Sequence, residues 1–149
     1  SGRQALAEAI TAASRTIRLY PGVLPTLARL RELGISAGVI TNTFQSADEK
    51  WLWFERHGIA PYLERIISSI EAGVAKPDPA IYLKYVEACG LTPGEVAFVG
   101  HDLDELRGAE RAGLLGLAFR PDRPGAFRPE FEDFTALPLL IGADRRGRI

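Results

Sequence analysis

The sequence predicts an α/β protein built on a doubly wound parallel sheet. Short apolar segments with strand-like composition alternate along the chain with longer segments of helical periodicity, and this alternation is typical of βαβ units. Polar residues follow three of the apolar segments directly. Because ligands of open α/β sheets bind at the carboxyl ends of the strands, these polar residues are the first candidates for function.

The helices are predicted from apolar periodicity and from their start and stop residues. They cover residues 4–17, 23–33, 46–57, 79–89 and 104–112. Glycine follows each of the last four, and it is a common helix stop because it adopts left-handed backbone easily. Ser46 is expected to cap the third helix, and Pro79 to begin the fourth.

The strands are predicted over residues 35–41, 63–69, 96–99 and 115–119. The first is expected to be buried on both faces, because Ala37, Val39 and Ile40 show no apolar–polar alternation. Prolines and a glycine after residue 120 indicate a loop. Segment 134–141 is expected to form an edge strand or a docking turn, and segment 142–149 a loose tail.

Composition limits the class of protein. The 149 residues are 46% hydrophobic and 25% charged, which suits a single soluble domain. A net charge of -1 gives no reason to expect nucleic acid or an anionic membrane as partner. No apolar run approaches the ~20 residues of a membrane-spanning helix, and the N-terminus lacks a signal-peptide core. A cytoplasmic protein is therefore expected.

Two of the strand ends carry groups suited to an anion. Thr41 offers a hydroxyl at the end of the first predicted strand, and Asn42 adds an amide. Lys76 lies in a proline-rich loop just before a helix, whose N-terminal amides also attract anions. The alternative is that Thr41 and Asn42 simply begin a turn and that Lys76 is a solvated charge.

Acidic residues follow the strand that ends near Gly100. Asp102 is the first candidate for a ligand of a divalent cation, with Glu105 or Asp104 as the second, because hard cations prefer oxygen ligands and imidazole suits them poorly. His101 could instead orient a carboxylate or contact substrate. The alternative is that Asp102 caps the next helix and that the other two acids occupy its first turn.

Taken in order, these residues resemble three of the four motifs of the haloacid dehalogenase-like (HAD) hydrolase superfamily, phosphatase-type subgroup. The resemblance runs from about Tyr20 to the C-terminus. It implies a Rossmann-like core over residues 20–149, with residues 1–19 as a helical segment that resembles the last part of a cap. It also implies that Thr41 and Asn42 hold the phosphoryl oxygens, that Lys76 neutralises charge and that Asp102 and Glu105 hold Mg²⁺.

The resemblance implies hydrolysis of a small phosphorylated metabolite through an aspartyl-phosphate. The family's first motif, DxDxT, supplies the nucleophilic aspartate, and this sequence does not contain it. The chain alone is therefore predicted to be inactive or nearly so, with the nucleophile on a missing N-terminal segment. A permuted first strand at residues 139–144 is a lesser alternative.

Two other functions remain open. A non-catalytic binding or scaffold module could keep the HAD fold without the nucleophile. A dehalogenase would need no metal, but it would need the same aspartate. Assembly into a homo-oligomer also remains open, and composition excludes none of these alternatives.

Overall fold

The computed structural model describes residues 18–147, with side chains described through residue 142. The helix predicted over residues 4–17 lies outside this range. The helices are α1 (Val23–Glu32), α2 (Ala47–Arg56), α3 (Ser69–Ala72), α4 (Pro79–Ala88), α5 (Leu103–Arg111) and α6 (Leu137–Gly147). The strands are β1 (Ala37–Thr41), β2 (Leu63–Ser68), β3 (Ala97–Gly100), β4 (Leu115–Phe119) and β5 (Glu130–Phe131). Short 3-10 turns lie at Ala60–Tyr62, Pro93–Glu95 and Phe134–Ala136.

Side chains cap the N-terminal ends of α2, α4 and α5. At the start of α2, Ser46 Oγ accepts from the Glu49 amide at 3.2 Å, and the Glu49 carboxylate accepts from the Ser46 amide at 2.8 Å. Asp78 caps α4 and Asp102 caps α5 in the same sense, each through one carboxylate oxygen at 2.9 Å. These bonds satisfy amides that have no partner within the helix, and they confirm the predicted helix starts to within a residue or two.

The strands are parallel, and helices cover both faces of the sheets. β1 pairs with β2, while β3, β4 and β5 form a second sheet in that order. α1, α2 and α6 contribute to the core on one face, whereas α4 and α5 form the core on the other. Neighbouring residues of β1 pack on opposite faces of the sheet, with Val39 against the first core and Ile40 against the second. The predicted α/β class is confirmed.

The sheet is divided between β1 and β3. Across residues 18–147 no strand lies between them, and all residues of both strands are only partly buried. In β4, which has a neighbour on each side, three of five residues are fully buried. The burial expected for segment 35–41 is therefore incomplete, because one edge of β1 borders a cavity and not another strand.

The C-terminal prediction is wrong for the edge strand and the tail, whereas the docking turn is present at Phe134–Ala136, packed against the core. Where an edge strand or docking turn and a loose tail were expected, the chain forms a 3-10 turn and then α6, and the short strand β5 precedes them. Leu137, 3% exposed, packs with Leu27 and Leu30 of α1. Pro138 lies in the first helical turn, where its missing N–H removes no helical hydrogen bond.

The position of α6 also excludes one of the explanations for the missing nucleophile. Residues 139–144 are helical, so they do not form a permuted first strand. None of the six described helices has the length and apolarity needed to cross a bilayer.

Candidate active site

The end of β1, the lysine loop (residues 73–78) and the start of α5 meet at the carboxyl edge of the sheet. Asn42, directly after β1, contacts the backbone of Lys76. The Lys76 ammonium lies 2.9 Å from the Glu105 carboxylate in the first turn of α5. The three loops that the sequence predicted to converge are thus brought together. Lys76 contacts both the residue after β1 and the first turn of α5.

Asn42 contacts Lys76 through two hydrogen bonds. Its Nδ2 donates to the Lys76 carbonyl at 2.9 Å, and its Oδ1 accepts from the Lys76 amide at 2.9 Å. The carboxamide therefore closes a ring with the lysine backbone across 34 residues of sequence. From the sequence, Asn42 was expected to help hold phosphoryl oxygens, and in the structure both of its polar atoms are engaged with Lys76.

The Lys76 side chain is largely withdrawn from water. It is 12% exposed, and its partner Glu105 is 23% exposed. Its Nζ also lies 5.7 Å from the centre of the Phe98 ring in β3, within the range of a cation–π contact. Because water screens this ammonium less than a solvated lysine, its interactions with neighbouring charges, Glu105 first and an arriving anion next, are stronger.

Thr41 and its neighbours form the second part of the site. Thr41 is the last residue of β1, half-buried, and is in register with Ser68 of β2. The Ser68 side chain is fully buried, and its hydroxyl has no hydrogen-bond partner among the described residues. Downstream, the Thr43 amide donates to Ser69 Oγ at 3.1 Å, which ties the loop after β1 to the start of α3.

The acidic residues are engaged in local contacts. Asp102 Oδ1 accepts from the Glu105 amide at 2.9 Å as the cap of α5, Glu105 pairs with Lys76, and Asp104 is exposed on the first turn. Residues 18–142 contain no group of three or more His, Cys, Asp or Glu side chains placed to hold a metal. Asp102 and Glu105 would supply two carboxylate ligands to a Mg²⁺ ion, and its remaining oxygen ligands would come from water, phosphate or residues outside the described part of the chain.

His101 pairs with a residue that the sequence analysis did not identify. Its Nδ1 lies 3.2 Å from both carboxylate oxygens of Asp122, and the Asp122 amide donates to the His101 carbonyl at 3.1 Å. His101 is thus placed beside a carboxylate, and its role as an orienting or substrate-contacting residue stays a prediction. Asp122 lies in the loop after β4, and no spacing rule connects it with His101.

Two further residues hold α5 in place against α4 and the lysine loop. The Tyr82 hydroxyl, on the buried face of α4, donates to the Glu105 carbonyl at 2.7 Å. Burial, followed by the nearby Glu105 charge, raises the pKa of Tyr82 well above its usual range. Gly108 of α5 lies directly under the lysine loop, because a Cβ there would be 2.2 Å from the Pro77 carbonyl oxygen. The absence of a side chain at Gly108 therefore allows α5 to pack closely on this loop.

A cavity of about 800 Å³ separates β1 from β3. All four residues of β3 and residues 37–40 of β1 line it, and Leu27, Leu30 and Leu137 form part of its apolar wall. Lys76, His101 and Glu105 also border it. The cavity thus joins two strand edges to the charged groups of the site.

Comparisons with known proteins show which family the chain resembles. A family model of haloacid dehalogenase-like hydrolases matches residues 4–113. The glyceraldehyde 3-phosphate phosphatase of Methanopyrus kandleri is 35% identical over 118 residues, which are 78% of this chain and 50% of that protein. The phosphoserine phosphatase of Thermus thermophilus is 32% identical over 126 residues, 81% of this chain and 50% of that protein.

A solved structure shows the same fold. A HAD phosphatase from Thermococcus onnurineus superposes with a TM-score of 0.76 and 26% identity, covering 91% of this chain and 63% of that one. The chain spans about half the length of the curated relatives it matches.

Proposed function

Because the chain belongs to the haloacid dehalogenase-like hydrolase family, we propose that it is the phosphate-binding part of a phosphatase for a small phosphorylated metabolite. The observation that carries the proposal is the withdrawn Lys76 ammonium, held at the carboxyl edge of the sheet beside the loop after β1. The phosphatases among its relatives support the same assignment. Thr41 is the second phosphate ligand in this proposal, through its hydroxyl.

In this proposal, the cavity between β1 and β3 receives the strand that carries the nucleophilic aspartate. A strand lying there would end beside Lys76, and an aspartate at that end would face the phosphoryl group. In the proposed reaction the aspartate oxygen bonds to phosphorus while the bond from phosphorus to the alcohol oxygen breaks, which gives an aspartyl-phosphate that water then hydrolyses. Lys76 stabilises the negative charge throughout, and the aspartate comes from a segment outside the 149 residues.

Mg²⁺ belongs to the proposal only for the complete enzyme. Asp102 and Glu105 are the residues of this chain expected to hold it, and the metal would supply charge neutralisation at the phosphoryl oxygens. Because Asp102 caps α5 and Glu105 is paired with Lys76 in the chain alone, we expect its phosphate binding to be unchanged by Mg²⁺ or EDTA. Strong dependence on Mg²⁺ in this titration would contradict that reading of the acidic residues.

Lys76→Met is the direct test of the anion site. Titration calorimetry of the chain with inorganic phosphate should show a Kd raised roughly 10- to 100-fold, as expected for losing one charge-assisted hydrogen bond. Lys84→Met, on the exposed side of α4, is the matched control and should leave the Kd unchanged. If Lys76→Met binds phosphate as the wild type does, the proposed site is wrong.

A binding or scaffold module without turnover is the second candidate function. It is favoured by the absence of the DxDxT motif from the sequence. Assays with p-nitrophenyl phosphate separate the two when a longer chain carrying the first motif is tested with Mg²⁺ and with EDTA. Turnover that EDTA abolishes supports the phosphatase, whereas phosphate binding without turnover supports the module.

A further inference from the structure

We propose that Asn42 is a positioning residue that acts through Lys76 and does not itself bind the anion. The inference rests on the proposed function, because it concerns how the phosphate-binding lysine is held. It assigns Asn42 a different role from Thr41, its neighbour at the end of the same strand.

The two hydrogen bonds give Asn42 control of one specific point in the lysine loop. The Lys76 amide and carbonyl are both bound to a single carboxamide at 2.9 Å. These bonds fix the orientation of the Lys76 residue relative to the end of β1, and so they fix the direction in which its side chain leaves the backbone. The ammonium is then held at its other end by Glu105 and Phe98.

Asparagine is the residue type that this contact requires. A carboxamide offers a donor and an acceptor at the end of a short side chain, which matches the acceptor and donor of one residue's backbone. Aspartate would keep the bond to the Lys76 amide but would place a second acceptor against the Lys76 carbonyl. Alanine would lose both bonds, so the three residue types form a graded series.

The remaining contacts of the loop do not replace this one. Gly108 and Arg111 hold the loop at Pro77, where Arg111 Nη2 donates to the Pro77 carbonyl at 3.3 Å. Asp78 is fixed as the cap of α4. Pro77 and Asp78 both follow Lys76 in the chain, so these contacts do not tie the Lys76 backbone to β1. Losing Asn42 therefore removes the anchor of Lys76 to that strand.

A double-mutant cycle separates action through Lys76 from direct contact with the anion. The variants are Asn42→Ala, Lys76→Met and the double variant, each titrated as the 149-residue chain with inorganic phosphate. We expect Asn42→Ala to raise the phosphate Kd roughly tenfold and to have no further effect when Lys76 is already Met. Gln45→Ala, in the same loop, is the control and should leave the Kd unchanged.

Amide hydrogen exchange measures the positioning without any ligand. Protection of the Lys76 amide should be lost in Asn42→Ala and kept in Asn42→Asp, because aspartate retains the acceptor. Equal protection in the wild type and Asn42→Ala would overturn the proposal, even if phosphate binding by Lys76→Met is too weak to complete the cycle.

The outcomes distinguish the two proposals. If Lys76→Met lowers phosphate affinity while Asn42→Ala has no effect, or has the same effect in both backgrounds, the role of Asn42 is wrong and the anion site stands. If Lys76→Met leaves the affinity unchanged, the proposed function itself is wrong.

Discussion

Gly108→Ala tests whether the contact between α5 and the lysine loop determines the site. The Cβ added at Gly108 would lie 2.2 Å from the Pro77 carbonyl oxygen and 2.9 Å from its carbonyl carbon. Ordinary Cβ contacts begin near 3.4 Å, so the backbone of the loop has to retreat by about 1 Å, as an overpacked contact requires. Lys76 precedes Pro77 directly, and its ion pair with Glu105 at 2.9 Å would be strained.

The expected magnitude combines two opposing effects. Alanine is favoured over glycine within a helix by about 1 kcal/mol. Overpacking against backbone that cannot rotate away costs about 1–3 kcal/mol. Gly108→Ala should therefore change the free energy of unfolding by between about zero and 2 kcal/mol in the destabilising direction.

Gly142→Ala is the matched control, because Gly142 is also helical and a Cβ there meets no described residue within 4 Å. This substitution should stabilise the chain by about 1 kcal/mol. Since the helix propensity is common to both variants, their difference in urea denaturation isolates the steric cost. Equal stabilities for the two variants, with unchanged phosphate affinity, would show that the loop yields freely and would refute the reasoning.

Other predictions concern the buried groups around the site. Tyr82→Phe should lower the free energy of unfolding by about 0.5–1.5 kcal/mol, because the hydrogen bond from the tyrosine to the Glu105 carbonyl is lost; an unchanged urea midpoint at neutral pH would contradict this. Burial raises the pKa of Tyr82 and Tyr85, so the unfolded chain releases these protons first and stability should fall as pH rises above about 10. That fall should be smaller in Tyr82→Phe. Ser68→Ala removes a buried hydroxyl that lacks a partner in the described region, and it should leave the melting temperature unchanged or raise it; a clear loss of stability would mean that the hydroxyl is bonded.

The sequence by itself determined the elements whose signals are local. Ser46 and Asp78 begin α2 and α4 because each side chain satisfies an amide two or three residues away. It also determined the convergence of β1, the lysine loop and α5, since the carboxyl ends of parallel strands share one edge of a sheet. The resemblance carried by Thr41, Lys76 and the acidic turn led to the family that the comparisons support.

The tertiary structure decided the features that depend on contacts between distant residues. The C-terminal segment forms the helix α6, whose Leu137 packs on α1, more than 100 residues earlier in the chain. The pairing of Asn42 with Lys76, of His101 with Asp122 and of Tyr82 with Glu105 follows from which loops and helices touch. Local propensity acts over a few residues, whereas these contacts and the divided sheet depend on how whole elements pack, and no short pattern in the sequence encodes that.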